Sequence, residues 1–299
     1  MSEPIIVVPL DGTKQALAAL PVAIVLGEIQ QASLHILHVS ECEQAGKESR
    51  SRIASETELL GSLAIDTRVG LPAGEILQVA GEIKPRAIVM CKHSATEGKK
   101  MLGRTAMKVL HDAPCPVVLV PPERGVTAWH LHHVMVPHDG TPSTSAALPP
   151  AAELAERGGA ELLVVHVTDV RAAPTEPGSL TTPPYVDQPQ HEWPAWVGEF
   201  VNRLACGCPL GHLHVRTFLA SGNTAAEILR LSEKQSTDLI VLAWRGIWEA
   251  PRAATLKDIL GDAHCPIMVV RTETRNEPKR LDGNGTASRD KRCSLNLSR

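Results

Sequence analysis

The chain repeats itself. IIVVPLDGT (5–13) returns as HVMVPHDGT (133–141), and ASLHILHV (32–39) as AELLVVHV (160–167), both 128 residues further on. GLPAGEIL (70–77) matches GNTAAEIL (222–229) and RAIVMC (86–91) matches DLIVLA (238–243), both at an offset of 152. DAPCPVVLV (112–120) matches DAHCPIMVV (262–270) at an offset of 150. The second copy therefore carries an insertion of 24 residues and later loses 2. A period of this size is far above that of solenoid repeats. The 299 residues read as one domain duplicated in tandem, over residues 1–122 and 130–271, with a tail at 272–299.

Each copy alternates strand and helix. In the first, Ile5–Val8, Leu34–Val39, Ile65–Val69, Ala87–Met90 and Val117–Val120 are short apolar runs of strand length. Between them Lys14–Gln30, roughly Lys47–Leu60, Ala73–Ile83 and Arg104–His111 carry helical patterns, with Thr13 placed to cap the first. Strands apolar on both faces, separated by helices, predict two tandem doubly wound α/β domains, each with a five-stranded parallel sheet. Ligands of such sheets sit beyond the carboxyl ends of the strands, where strand order reverses. In the first copy those ends are Leu10–Thr13, Val39–Glu41 and the loop after Met90.

Composition narrows the function classes. A hydrophobic fraction of 43% with 21% charged residues suits two soluble cores. A net charge of −3 excludes polyanion binding by bulk charge, so no nucleic-acid role is expected. No apolar run approaches the roughly 18 residues of a membrane span, and Met1–Pro4 carries no basic leader, so a cytoplasmic protein with no membrane partner is expected. The seven scattered cysteines form no disulfide framework. Aromatics are scarce, and residues 1–128 contain none. Any base held by the first copy must then lie between aliphatic side chains.

The insertion falls within about 171–199. Its prolines, from Pro174 to Pro194, forbid regular structure, and Trp193 and Trp196 could anchor a lid or strap; a mobile surface loop is the plainer reading. Residues 272–299 are polar and read as a disordered tail.

The ordered motifs resemble the universal stress protein (UspA-like) family in its tandem form. They are V-P-x-D-G-T opening each copy, H-V ending the second strand, G-x-x-A/G-x-E-I-L starting a helix, and D-A-x-C-P before a last V-rich strand. The resemblance implies a five-stranded Rossmann-like fold of the adenine nucleotide alpha hydrolase type, stress-linked expression, cytoplasmic location and, in some members, ATP binding. By that resemblance Asp11 and Asp139 would contact the adenosine, and the backbones of Val39 and Val167 the base. A phosphate loop G-x2-G-x9-G-(S/T) would follow the fourth strand, its glycines letting backbone approach phosphate.

That loop is degenerate here. In the first copy Cys91 and Ser94 replace glycines, Gly103 survives one residue early, and Arg104 stands where Ser or Thr is expected, with Thr105 next. Lys99, Lys100 and Arg104 could supply charge in place of amides. In the second copy Ala243 replaces the first glycine, Gly246 keeps the second, and Ala253-Ala254 closes a shortened loop. No Walker A loop, H-x-G-H or nucleophile elbow is present.

Cys206, Cys208, His212 and His214 could hold zinc or copper, but Leu213 and Val215 could equally be the inner side of a strand with the histidines outward. The ligand spacing is tighter than zinc motifs use, and no metal is expected. Cys115 and Cys265, each before a proline, read as buried small residues. The expectation is thus a non-catalytic, regulatory or protective binding module, with an unnamed protein partner. The alternatives are an ATP or adenylate sensor using Asp11 and/or Asp139, and a weak ATPase. Val117–Val120 and Ile267–Val270 end their copies at sheet edges and are expected to pair antiparallel within one chain; a homodimer is the other way to cover an apolar edge.

Overall fold

The computed structural model describes residues 3–40, 64–92, 102–168, 213–248 and 251–272. The helix expected near Lys47–Leu60, the 171–199 insertion and the tail lie outside the described residues.

The apolar runs of the first copy become β1 (Ile5–Pro9), β2 (Ser33–Ser40), β3 (Ile65–Val69), β4 (Ala87–Cys91) and β5 (Val117–Val120). The second copy supplies β6 (His133–Pro137), β7 (Glu161–Thr168), β8 (Val215–Ser221), β9 (Leu239–Trp244) and β10 (Ile267–Arg271). The helices are α1 (Ala19–Gln30), α2 (Pro72–Ile83), α3 (Arg104–Asp112), a single turn α4 (Pro142–Ser145), α5 (Leu148–Gly158), α6 (Thr224–Lys234) and α7 (Pro251–Asp262).

The first helix starts later than its sequence pattern suggests. Lys14 and Gln15 belong to a turn, and Ala16–Ala18 form one turn of 3₁₀ helix before α1. Pro21 explains where α1 can begin: proline lacks the N–H that a helix interior needs and fits only the first turn. Its repeat equivalent, Pro149, lies in the first turn of α5 after the short α4. The two copies thus break their first helix in the same place for the same reason.

The described strands are in one ten-stranded sheet of order β3-β2-β1-β4-β5-β10-β9-β6-β7-β8. Pairing is parallel within each copy and antiparallel only at the junction, where Leu119, Val118 and Val117 face Ile267, Met268 and Val269. Val118 and Met268 are repeat equivalents, so a pseudo-twofold axis passes through that pair. The expected internal pairing of the last strands is what the structure holds. Both side chains are almost wholly buried, which contributes roughly 1.5–3 kcal/mol each.

One face of the sheet carries a single core shared by both copies, where α1 packs against α5 over Ile6, Val8, Val118, Met268, Val134 and Val136. The other face carries α2, α3, α6 and α7. The linker contributes the buried Trp129 and Leu131 to the shared core. Strand order reverses at β1/β4 and at β6/β9, and these two points place the candidate crevices.

Candidate functional site

The turn after the first strand of each copy is built by a carboxylate. Gly12 and Gly140 have φ of 81° and 79°, a left-handed conformation that favours glycine. The Asp11 carboxylate accepts the Thr13 N–H at 2.9 Å and the Thr13 hydroxyl at 2.7 Å. Thr13 Oγ1 in turn accepts the Ala16 N–H at 3.2 Å, so it caps the 3₁₀ turn instead of a helix starting at residue 14. Asp139 does more. One of its oxygens accepts the Thr141 N–H (3.1 Å), the Thr141 hydroxyl (2.6 Å) and the Thr144 hydroxyl (2.8 Å). Both aspartates therefore hold a helix start, and both stand at the switch points.

Val39 and Val167 lie beside these turns, partly buried, near the ends of β2 and β7. Leu10 donates its N–H to Leu37 O, and Gly70 donates its own to Ser40 O. Because N–H and C=O of one residue point to the same side of a strand, Leu37 and Val39 face β1, whereas Ser40 faces β3. β1 pairs only as far as Pro9 and Leu10, so the Val39 backbone points into the space β1 has left. The bonds from His138 to Val165 and from Gly222 to Thr168 give Val167 the same direction.

The histidines of the H-V motif are structural. The buried His38 donates Nδ1–H to Leu10 O at 2.7 Å, and the buried His166 donates to His138 O at 2.8 Å. Each ties its second strand to the turn. Burial holds the His166 imidazole below its ordinary range.

The second copy adds a residue the sequence reading did not single out. His138 stands where the first copy has Leu10, a difference visible in the aligned repeats. Its Nδ1 accepts the Gly140 N–H at 3.0 Å, which puts the proton on Nε2, and Nε2–H donates to Ser145 Oγ at 3.0 Å. The Ser145 hydroxyl in turn donates to Thr141 O at 3.1 Å. Burial pushes the His138 pKa down to about 4, against the pull of the Asp139 charge. A neutral ring whose only lone-pair nitrogen is occupied cannot take a proton from Ser145, so this contact is no nucleophile–base pair.

After the fourth strand the copies diverge. In the first, Cys91 is buried at the end of β4, and Ser94, Lys99 and Lys100 lie outside the described residues. Gly103 caps α3 with φ −60° and ψ 152°, extended backbone that any residue adopts. Arg104 and Thr105 open α3, Arg104 exposed. In the second, Gly246 has φ 79°, and a Cβ there would come within 3.2 Å of Arg271 Nε. The exposed Arg245 reaches across from the loop after β9 and donates to Ser143 Oγ at 3.0 and 2.6 Å. Trp248 packs on Trp244 with ring centroids 4.5 Å apart, and Lys257 lies 5.5 Å over the Trp248 ring. α7 begins three residues earlier, in repeat terms, than α3, and Ala253 is 1% exposed inside it. Ala253 stands in the first turn of α7, whose N–H groups lack intrahelical partners, and its near-complete burial keeps a phosphate from reaching it.

Remaining candidates separate cleanly. Burial pushes the Cys115 and Cys265 thiols up to about 12, so neither offers a thiolate near neutral pH. His214 is exposed before β8 while Leu213 and Val215 pack on the core; Cys206, Cys208 and His212 lie outside the described residues. Among the described residues no group of three or more His, Cys, Asp or Glu could hold a metal ion. No described helix is long and apolar enough to cross a membrane.

No curated protein matches the chain. Among solved structures, a universal stress protein from Archaeoglobus fulgidus aligns over 91% of this chain and 99% of its own, at 18% identity and a TM-score of 0.60. A functionally unknown protein from Pseudomonas aeruginosa aligns over 90% and 93%, at 16% identity and a TM-score of 0.63. These likenesses establish the fold. A model of the Universal stress protein family matches twice, over residues 4–121 and 130–271. Those two matched segments each hold one parallel five-strand unit, and together they take in nearly all of the described chain: the protein belongs to the universal stress protein family, as two tandem copies of its domain.

Proposed function

We propose that the chain is a non-catalytic, cytoplasmic stress-response binding module, regulatory or protective, whose phosphate loops have lost the backbone cradle for a triphosphate. The observation that carries this reading is the start of α7: Ala253 is buried within a helix that begins at Pro251, where the family loop would close on glycine. An enzyme would also need a positioned base, and the His138–Ser145 pair has its proton on the wrong nitrogen for that role. The test is incubation with Mg-ATP. Phosphate release should not exceed that of a heat-denatured control; turnover above it that is lost in Asp11→Ala or Asp139→Ala would establish the ATPase instead.

The adenylate-sensor reading has one observation in its favour, confined to the first copy. Asp11 follows β1 at the β1/β4 switch point, and the Val39 backbone on the neighbouring β2 points into the space beyond the end of β1. An adenine nucleotide would enter there in preference to the second copy, where Arg245 spans from the loop after β9 to Ser143, beyond β6. Native mass spectrometry of the purified chain shows a retained nucleotide directly as added mass.

A further inference from the structure

Lys92 and its repeat equivalent Trp244, at the carboxyl ends of the fourth strands, each reach into the other copy. Lys92, directly after β4, extends its ammonium out of the first copy and donates to Leu260 O and Ala263 O, both at 2.9 Å, at the carboxyl end of α7 in the second. These carbonyls are among those a helix end leaves without intrahelical partners, and they carry the negative end of its dipole. The repeat equivalent of Lys92 is Trp244, which reaches the other way. Its ring lies edge-on to His111 at the carboxyl end of α3, with centroids 6.1 Å apart. Indole cannot close a second carbonyl as an ammonium can, and the buried Trp244 Nε1 has no hydrogen-bond partner. Arg271, at the end of β10, supplies the missing donor: its Nη1 donates to His111 O at 2.6 Å. The Arg271 side chain also runs under Gly246, in the loop that follows Trp244.

We infer that these crossed clamps couple the two copies into one conformational unit: Lys92 fixes α7, and Trp244 with Arg271 fixes α3. α3 and α7 are repeat equivalents, so the carboxyl end of each is held by residues of the opposite copy. Lys92 is the stronger strut, because it makes two charge-assisted bonds from a side chain largely withdrawn from water. This inference does not depend on which ligand either crevice takes.

Hydrogen exchange on the ligand-free full chain tests it. Lys92→Met, which keeps the length and loses the charge, should speed exchange at the end of α7, where Ala263 N–H bonds to Ile259 O, by about tenfold. α6, in the same copy as α7, should be unchanged. Arg271→Met should do the same at the end of α3, where Ala113 N–H bonds to Val109 O, and leave α2 unchanged. Lys92→Arg should restore protection to within about threefold. Equal acceleration of α6 and α7 in Lys92→Met, or none in either, would overturn the inference. If Lys92→Met does not fold, the Arg271→Met and Lys92→Arg profiles decide on the same criteria.

Discussion

The two copies have the same strands and different turns. Val8-Pro9 and Val136-Pro137 end their first strands alike, yet the next residue is Leu10 in one and His138 in the other. At the start of the helix after the third strand, Asn223 caps α6 by accepting the Ala226 N–H at 2.9 Å, whereas Leu71 at the start of α2 caps nothing and is 82% exposed. After the fourth strand, Lys92 stands opposite Trp244, and Gly103 opposite the buried Ala253. Strands lie in a core where a change of volume is felt at once, so the copies keep them apolar. Turns at the carboxyl ends meet solvent and ligand, and there each copy has gone its own way.

The largest expected effect is at the junction that the two copies form together. Val118→Lys and Met268→Lys each put an unpaired ammonium beside the pseudo-twofold axis, and each should cost roughly 3–5 kcal/mol of stability. Denaturant titration reads the loss, and X-ray scattering should show a larger radius of gyration. If one variant were neutral and the other severe, the axis would not pass through this pair.

Next comes pH. The folded pKa of His138 is lowered to about 4 from an ordinary 6.5, so between those values the unfolded chain binds a proton that the folded chain refuses. Stability from this residue is intact above pH 6.5 and falls as the pH drops toward 4, by at most about 3 kcal/mol. His138→Leu, which installs the first copy's residue, should flatten that part of the profile. An unchanged profile would mean that the ring is not held neutral.

The aspartates give a smaller contrast. Asp139 is half-buried and accepts from both Thr141 and Thr144, while Asp11 is exposed and holds Thr13. Asp139→Ala should cost about 2 kcal/mol and Asp11→Ala less than about 1 by thermal or chemical denaturation. The smallest effect is a gain: Leu71→Asn should stabilise the chain by about 1 kcal/mol, and Asn223→Leu should lose a similar amount. Leu71→Asn without gain would show that the first copy does not lack a cap.

Much of this was legible in the sequence. The repeat offsets predicted two copies, the apolar runs located the first copy's strands to within a residue or so, and the matching last strands pointed to the antiparallel junction. Pattern is informative there because burial on both faces leaves a continuous apolar run. The late start of α1 could have been read from Pro21, which as the eighth residue of a helix through 14–30 would interrupt it. The early start of α7 hid behind an offset change of 2 residues, which says that a loop shortened and not where the helix gained. Lys92 carried no local signal at all, because its partners are 168 and 171 residues away. His138 could have been found by asking why one repeat has a histidine where the other has leucine.

Nucleotide stoichiometry tests the inequality of the two crevices most directly. Native mass spectrometry with Mg-ATP, on the wild type and on Asp11→Ala and Asp139→Ala variants shown to be folded, counts nucleotides per chain. The prediction is no more than one nucleotide on any chain, none on Asp11→Ala, and no loss of occupancy on Asp139→Ala. Two nucleotides per chain, or one that survives Asp11→Ala and disappears with Asp139→Ala, would contradict it.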